Sequence, residues 1–130
     1  MEIRIYYEDT DCGGVVYYAN YLRYFERART EFIRDKGIDL AELMEMGYIF
    51  TVSHAEVEYK APAYYGDVLE ITAGLTNITK ASFTFFHEIY RKKDNRLIVK
   101  GTAKLVCVNK KGRPVRLPES MQEKLHEENP

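Results

Sequence analysis

The sequence has 130 residues, 45% of them hydrophobic, which is enough for one domain with its own core over residues 1–130. Its 19 basic and 20 acidic residues give a formal net charge of −1, which argues against binding to nucleic acid or to an anionic membrane through overall charge. No apolar run approaches the ~20 residues that span a bilayer and no signal-peptide pattern is present, so we predict a cytoplasmic protein without membrane insertion.

The first third of the chain predicts a strand, a turn and two helices. Ile3 and Ile5 alternate with polar neighbours and predict a short first strand. The pair Gly13-Gly14 then predicts a turn. Apolar residues recur at helical spacing from about Asn20 to Lys36, beginning with Tyr21 and Leu22, and a second, shorter helix is predicted from Leu40 to Met46.

Strand patterns fill most of the remaining chain. From Phe50 to Tyr59 the apolar phase slips at Ser53-His54, which predicts a β-bulge or a strand that changes faces. Pro62 predicts a loop or a strand edge over Lys60–Gly66. Three further runs alternate cleanly: Leu69 to Leu75, Phe83 to Ile89 and Leu97 to Cys107. A final polar helix is predicted to open at Pro118 and to fray toward Pro130. The fold class is therefore α+β, an antiparallel five-stranded sheet packed on one long helix.

The segment Tyr7–Tyr21 (YEDTDCGGVVYYANY) contains the residues best suited to chemistry. Its turn brings Asp11 toward the start of a helix, where unpaired backbone N–H groups stabilise negative charge. A carboxylate beside such an oxyanion site fits the cleavage of an activated acyl bond. A solvated turn or a helix cap is the alternative for Asp11, and Asp9 is the rival carboxylate of the segment.

This segment resembles the hotdog-fold acyl-CoA thioesterases of the 4-hydroxybenzoyl-CoA thioesterase family, and within it the branch associated with the Tol–Pal system. Three shorter motifs extend the resemblance along the chain: residues 26–31 (ERARTE), 57–63 (VEYKAPA) and 106–108 (VCV). The resemblance implies a hotdog fold, a sheet wrapped around the long central helix. It also implies a homodimer or homotetramer with its active sites at the interface between subunits.

Asp11 matches the catalytic carboxylate of that family, and we therefore interpret Asp9 as a turn or structural acid. Tyr18 matches the residue whose backbone N–H polarises the thioester carbonyl. The Tol–Pal branch often has histidine at the position of Tyr18, and a backbone donor survives that change. Asp11 would either attack the thioester carbonyl or deprotonate a water molecule, without a cofactor. The turn residues Gly14 and Val15 are candidates for a second oxyanion donor.

Three residues are candidates for binding the substrate, coenzyme A or acyl carrier protein with its acyl group. Lys80 and Ser82 match a family region near the nucleotide, and a solvated hairpin turn is the alternative. Glu26 has a family counterpart that can face the acyl group, and the alternative is a pair with a neighbouring arginine.

Other functions and sites are less well supported by the residues. A non-catalytic hotdog module that binds acyl-CoA or acyl carrier protein would not need Asp11, and a hotdog dehydratase would need a histidine near it. Cys12 is interpreted as a small filler residue and not as a nucleophile. No metal site is predicted, because the cysteines and histidines lack ligand spacing.

Overall fold

The structure is a computed structural model that describes residues 1–127. Its helices are α1 (Asn20–Asp35), α2 (Leu40–Glu45) and α3 (Glu119–His126). Its strands are β1 (Glu2–Arg4), β2 (Ile49–Tyr59), β3 (Val68–Ile71), β4 (Gly74–Thr76), β5 (Ser82–Arg91) and β6 (Arg96–Val108). The predicted fraying toward Pro130 falls on residues 128–130, outside the described residues. Among those described, no helix is long and apolar enough to cross a membrane.

All strands form one antiparallel sheet in the order β1-β3-β5-β6-β2, and β4 also pairs with β5. The apolar face of α1 is buried in the same core as the inward residues of this sheet. A sheet wrapped around one long helix is the hotdog fold, so the predicted fold class is confirmed.

The sheet has six strands, and the predicted count of five is wrong. The run predicted as one strand is divided into β3 and β4, which pair with β5 in one continuous register. At the break, His87 Nδ1 lies 2.9 Å from the Thr72 carbonyl oxygen, and the Glu88 N–H donates to the Thr72 hydroxyl at 3.0 Å. These side chains take the place of a ladder hydrogen bond and so interrupt the strand.

The predicted bulge in β2 is confirmed, because the register against β6 shifts between Val52 and His54. β2 ends the sheet, and its outer edge pairs with no strand within residues 1–127. Most of its residues are exposed. This edge is therefore a long, open pairing surface.

The core divides into two clusters along α1. The first cluster surrounds the start of the helix and includes Tyr21, Tyr24 and Phe25, whereas the second lies at its end, under α2 and α3, and includes Ile33. Leu22, which the helical spacing placed on the buried stripe, is 45% exposed. The buried face is rotated toward positions 21, 24, 25 and 28, the residues that contact the sheet.

Gly101 of β6 lies where helix and sheet approach closely. A Cβ at this position would lie 2.6 Å from the Glu56 carbonyl oxygen and 2.9 Å from Cε2 of Phe25. Only glycine fits between the backbone of β2 and the helix side chain at this distance.

Candidate active site

A small hairpin carries Asp11 in front of α1. Thr10 and Val16 form an antiparallel bridge, the Asp11 N–H donates to the Val15 carbonyl at 2.9 Å, and the Gly14 N–H donates to the Asp11 carbonyl at 3.1 Å. Gly14 has φ +80°, a conformation that favours glycine, so the turn closes over a few residues. The tip of the hairpin is Cys12–Gly14.

The Asp11 carboxylate is exposed at the base of this tip. Its Oδ1 accepts a hydrogen bond of 2.8 Å from the Gly13 N–H, which orients the side chain. Within the part of the chain that the structure describes, no other group donates to this carboxylate. Its second oxygen is therefore open to a substrate or a water molecule.

Unpaired backbone donors lie at the start of α1. The N–H groups of Tyr18 and Ala19 meet no acceptor in residues 1–127, and Ala19 has no capping side chain. Such donors at a helix N-terminus suit a developing oxyanion. Of the two predicted turn donors, Gly14 already donates to Asp11, whereas the Val15 N–H finds no acceptor over the same residues.

Asp9 holds the hairpin against α1. Its carboxylate accepts from the Tyr6 N–H at 2.8 Å and from the Tyr24 hydroxyl at 2.7 Å. Its carbonyl accepts from the Tyr17 N–H and from Asn20 Nδ2, both at 2.9 Å. Burial and the bond to Asp9 raise the pKa of Tyr24, so the phenol stays a donor. These bonds support the structural interpretation of Asp9.

Sequence reasoning missed the support beneath the hairpin. The Val16 N–H donates to the Ala63 carbonyl at 2.9 Å, and the neighbouring Pro62 carbonyl accepts from Arg91 Nη1 at 3.0 Å. Arg91 is buried, and its Nε and Nη2 also donate to the Asp94 carboxylate at distances of 3.0 to 3.2 Å. The sequence pattern did not single out this arginine. Asp94, the acid three residues later, is the signal that could have found it.

A tyrosine surface adjoins the hairpin. The Tyr18 ring lies 4.8 Å from that of Tyr17 and 6.0 Å from that of Tyr59, and all three are exposed. Tyr21 and Tyr24, in contrast, are buried in the core. Burial raises the pKa of Tyr21 to about 12, so this phenol is neutral near pH 7. The tyrosines therefore serve both the core and an exposed aromatic surface beside Asp11.

The predicted substrate-binding residues lie elsewhere. Within residues 1–127, no hydrogen bond or ion pair joins Lys80, Ser82 or Glu26 to the Asp11 hairpin. Ser82 is 6% exposed, and its hydroxyl bonds the Thr79 hydroxyl at 2.7 Å, so it closes the turn in which Lys80 is exposed. Glu26 is exposed on α1 and lines a groove described below.

The cysteines and histidines do not converge on Asp11. Cys12 is exposed at the hairpin tip, and His54 is exposed beside Glu56 at 3.1 Å. His87 is buried in the core. Over the described part of the chain, no three or more His, Cys, Asp or Glu residues are grouped as metal ligands would be. Asp11 and the backbone donors therefore stay the candidates for the chemistry of this site.

The family of the protein follows from sequence comparison. The family model described as the thioesterase-like superfamily matches residues 6–125, which include the hairpin, α1 and the whole sheet after β1. The chain belongs to the thioesterase-like superfamily. The resemblance seen in the motifs is thus confirmed.

Individual relatives agree with this family. The acyl-CoA thioester hydrolase YbgC of Escherichia coli O6:H1 is 41% identical over 120 residues, 92% of this chain and 89% of that protein. The acyl-CoA thioesterase YbgC of Haemophilus influenzae is 35% identical over 126 residues, 95% of this chain and 91% of that protein. The crystal structure of a DHNA-CoA thioesterase from Staphylococcus aureus matches with a TM-score of 0.91 at 27% identity, covering 95% of this chain and 85% of that one.

Proposed function

We propose that this protein hydrolyses acyl-coenzyme A thioesters to a free carboxylic acid and coenzyme A. The main support is the open Asp11 carboxylate on a hairpin that leads into α1, whose first N–H groups lack acceptors within residues 1–127. Relatives that bear the name acyl-CoA thioesterase over most of the chain support the same reaction.

The chemistry needs only these groups. The Tyr18 N–H, with Val15 as the available turn donor, would hold the carbonyl oxygen as it gains negative charge. Asp11 would either attack the carbonyl carbon, so that the C–S bond breaks and a mixed anhydride forms, or remove a proton from the attacking water. In both routes the coenzyme A thiolate leaves. In the base route water supplies the new carboxylate oxygen directly, whereas in the anhydride route Asp11 supplies it and water then hydrolyses the anhydride at the Asp11 carbonyl carbon.

The open edge of β2 supports a homodimer built by pairing two such edges, and a tetramer would be a dimer of these dimers. The exposed Lys80 is the candidate for the phosphates of coenzyme A. In this proposal Ser82 acts by shaping the turn that carries Lys80. Acyl carrier protein as an alternative carrier, and the cytoplasmic location, stay predictions.

The test of Asp11 is Asp11→Asn, measured as thiol release from a panel of acyl-CoA substrates. We expect a loss of ~10²–10⁴ in kcat, the usual range for a lost acid–base group, with an unchanged Tm. Glu8→Gln is the matched control, because Glu8 is an exposed carboxylate of the same segment. Full kcat in Asp11→Asn would exclude this role for Asp11, and thiol release by the wild type excludes a module that only binds.

Oxygen labelling separates the two routes. A single turnover in H₂¹⁸O is followed by mass spectrometry of the acid product and of the peptide that contains Asp11. Label appears in the Asp11 carboxylate only when an anhydride forms and water attacks its Asp11 carbonyl, whereas direct attack of water labels the product. Light scattering tests the assembly in the same preparation, and a stable 15.2 kDa species would contradict the proposed dimer.

A further inference from the structure

A groove of about 280 Å³ lies between α1, α2 and the first half of β2, away from the Asp11 hairpin. Its walls are largely apolar and include Ile33, Leu40, Met44, Phe50, Phe83 and Leu105. Two charged residues of α1, Glu26 and Arg29, also line it.

Arg29 is unusual in this setting because most of the residue is covered while its guanidinium, which lines the groove, has no partner within residues 1–127. It is only 8% exposed, yet no acceptor within residues 1–127 receives any of its five N–H donors. Burial lowers the pKa of the guanidinium, and the Glu26 carboxylate acts in the opposite direction. A guanidinium nevertheless keeps its proton in proteins. The Arg29 nitrogens are not sealed from solvent, because among the described residues only His87 has a fully buried side-chain nitrogen or oxygen without a partner. A group that enters the groove can therefore reach this charge and compensate it.

The neighbouring groups do not provide that compensation. Glu26 is exposed and forms no ion pair with Arg29 within 4.0 Å. His87 also lies near Arg29, but burial lowers the pKa of His87 to about 4, so the imidazole is neutral near pH 7. An anion that enters the groove would supply the missing acceptor, and a carboxylate matches the two-pronged geometry of a guanidinium.

We infer that the groove binds the acyl group and that Arg29 pairs with a carboxylate at the far end of that group. This rests on the proposed thioesterase function and names its substrate class: coenzyme A thioesters of dicarboxylic acids. A plain alkyl chain would fill the same apolar walls but would cover the charge of Arg29 and leave it unpaired.

The position of Arg29 along α1 limits the length of an acyl chain that could reach it from the start of the helix. Nine residues separate Asn20, where α1 begins, from Arg29, and this is about 14 Å along the axis at the usual helical rise. Helical side chains lean toward the N-terminus, so the guanidinium is closer to the helix start than its own Cα. The distance that the acyl chain has to span is therefore shorter than about 14 Å.

The test compares kcat/KM for pairs of thioesters that differ only at the far end: octanoyl-CoA, octanedioyl-CoA and the methyl ester of the latter. Arg29→Met removes the charge and keeps an unbranched apolar side chain, and Arg29→Lys restores a charge without the planar fork. Arg23→Met is the matched control, since Arg23 is exposed on the same helix.

We expect the wild type to prefer octanedioyl-CoA over both neutral thioesters by about tenfold or more, the size of a charge-assisted hydrogen bond. Arg29→Met should abolish that preference, because it raises KM for octanedioyl-CoA far more than KM for octanoyl-CoA. Arg29→Lys should keep part of the preference, and Arg23→Met all of it. If Arg29→Met does not fold, inhibition of the wild type by octanedioate against octanoate tests the same preference.

A failure of this inference can be told apart from a failure of the proposed thioesterase function. Equal hydrolysis of the charged and neutral thioesters by the wild type, or equal losses for both in Arg29→Met, would overturn this inference and leave the thioesterase proposal intact. No thiol release from any thioester of the panel would overturn the proposed function, and this inference with it.

Discussion

His87 should make the stability of this protein depend on pH. The residue is 1% exposed, and its ring stacks on Phe25 and Phe85 with centroids 4.6 and 5.7 Å away and planes 8° apart. Since the Thr72 carbonyl can only accept, Nδ1 must carry the proton of their 2.9 Å bond. Nε2 is buried and finds no partner within residues 1–127. A second proton on this ring would have no acceptor.

The size of this loss of stability follows from the pKa of His87. Burial lowers the pKa of His87 from 6.5 to about 4, and the charge of Arg29 adds to this, whereas the bond to Thr72 opposes it. Between these two values the unfolded chain binds more protons than the folded one, so stability falls as the pH is lowered. At 1.36 kcal/mol for each pKa unit, the free energy of unfolding loses about 3 kcal/mol between about pH 6.5 and pH 4.

The assay is urea unfolding at several pH values across this window, for the wild type and for His87→Gln. Glutamine can still donate to Thr72 but does not titrate. Between about pH 6.5 and pH 4 the free energy of unfolding of His87→Gln should therefore fall by about 3 kcal/mol less than that of the wild type. The control His54→Gln, at an exposed histidine, should follow the wild type. Parallel profiles for the wild type and His87→Gln would refute the reasoning.

Two further substitutions test how the hairpin and the sheet are held. Gly101→Ala should lower the free energy of unfolding in urea by about 1–3 kcal/mol, because its Cβ would lie 2.6 Å from the Glu56 carbonyl oxygen; an effect no larger than that of Lys100→Ala, at an exposed neighbour, would contradict this. Tyr24→Phe should cost about 1.5–3 kcal/mol by the same measurement, because Asp9 loses a donor at 2.7 Å. A Tm equal to that of the wild type would count against the role of Tyr24.

Much of the fold was predictable because it depends on local patterns. The phase slip at Ser53-His54 located the bulge in β2, and helical spacing located α1 within one residue at its end. The division of β3 from β4 was not predictable, because it depends on a side-chain bond from His87 to Thr72 across the sheet. Alternation of apolar residues contains no information about such a bond.

The candidate site shows the same limit. The position of Asp11 on a glycine turn before a helix followed from the order of residues along one segment. The buried states of Arg29 and Arg91 did not, because arginines on a helix or in a basic turn usually face water. Only the three-dimensional packing of α1 and β5 reveals that both are covered. Arg91 is covered together with its partners, and Arg29 has none within residues 1–127.

The bond between Arg91 and Pro62 links the hairpin of Asp11 to a strand far along the chain. The Asp11 hairpin is thus connected to β5, about eighty residues away in sequence, through one arginine and one short loop. Substitutions near the end of β5 should therefore change turnover without touching substrate, and directed evolution of catalytic rate could begin there.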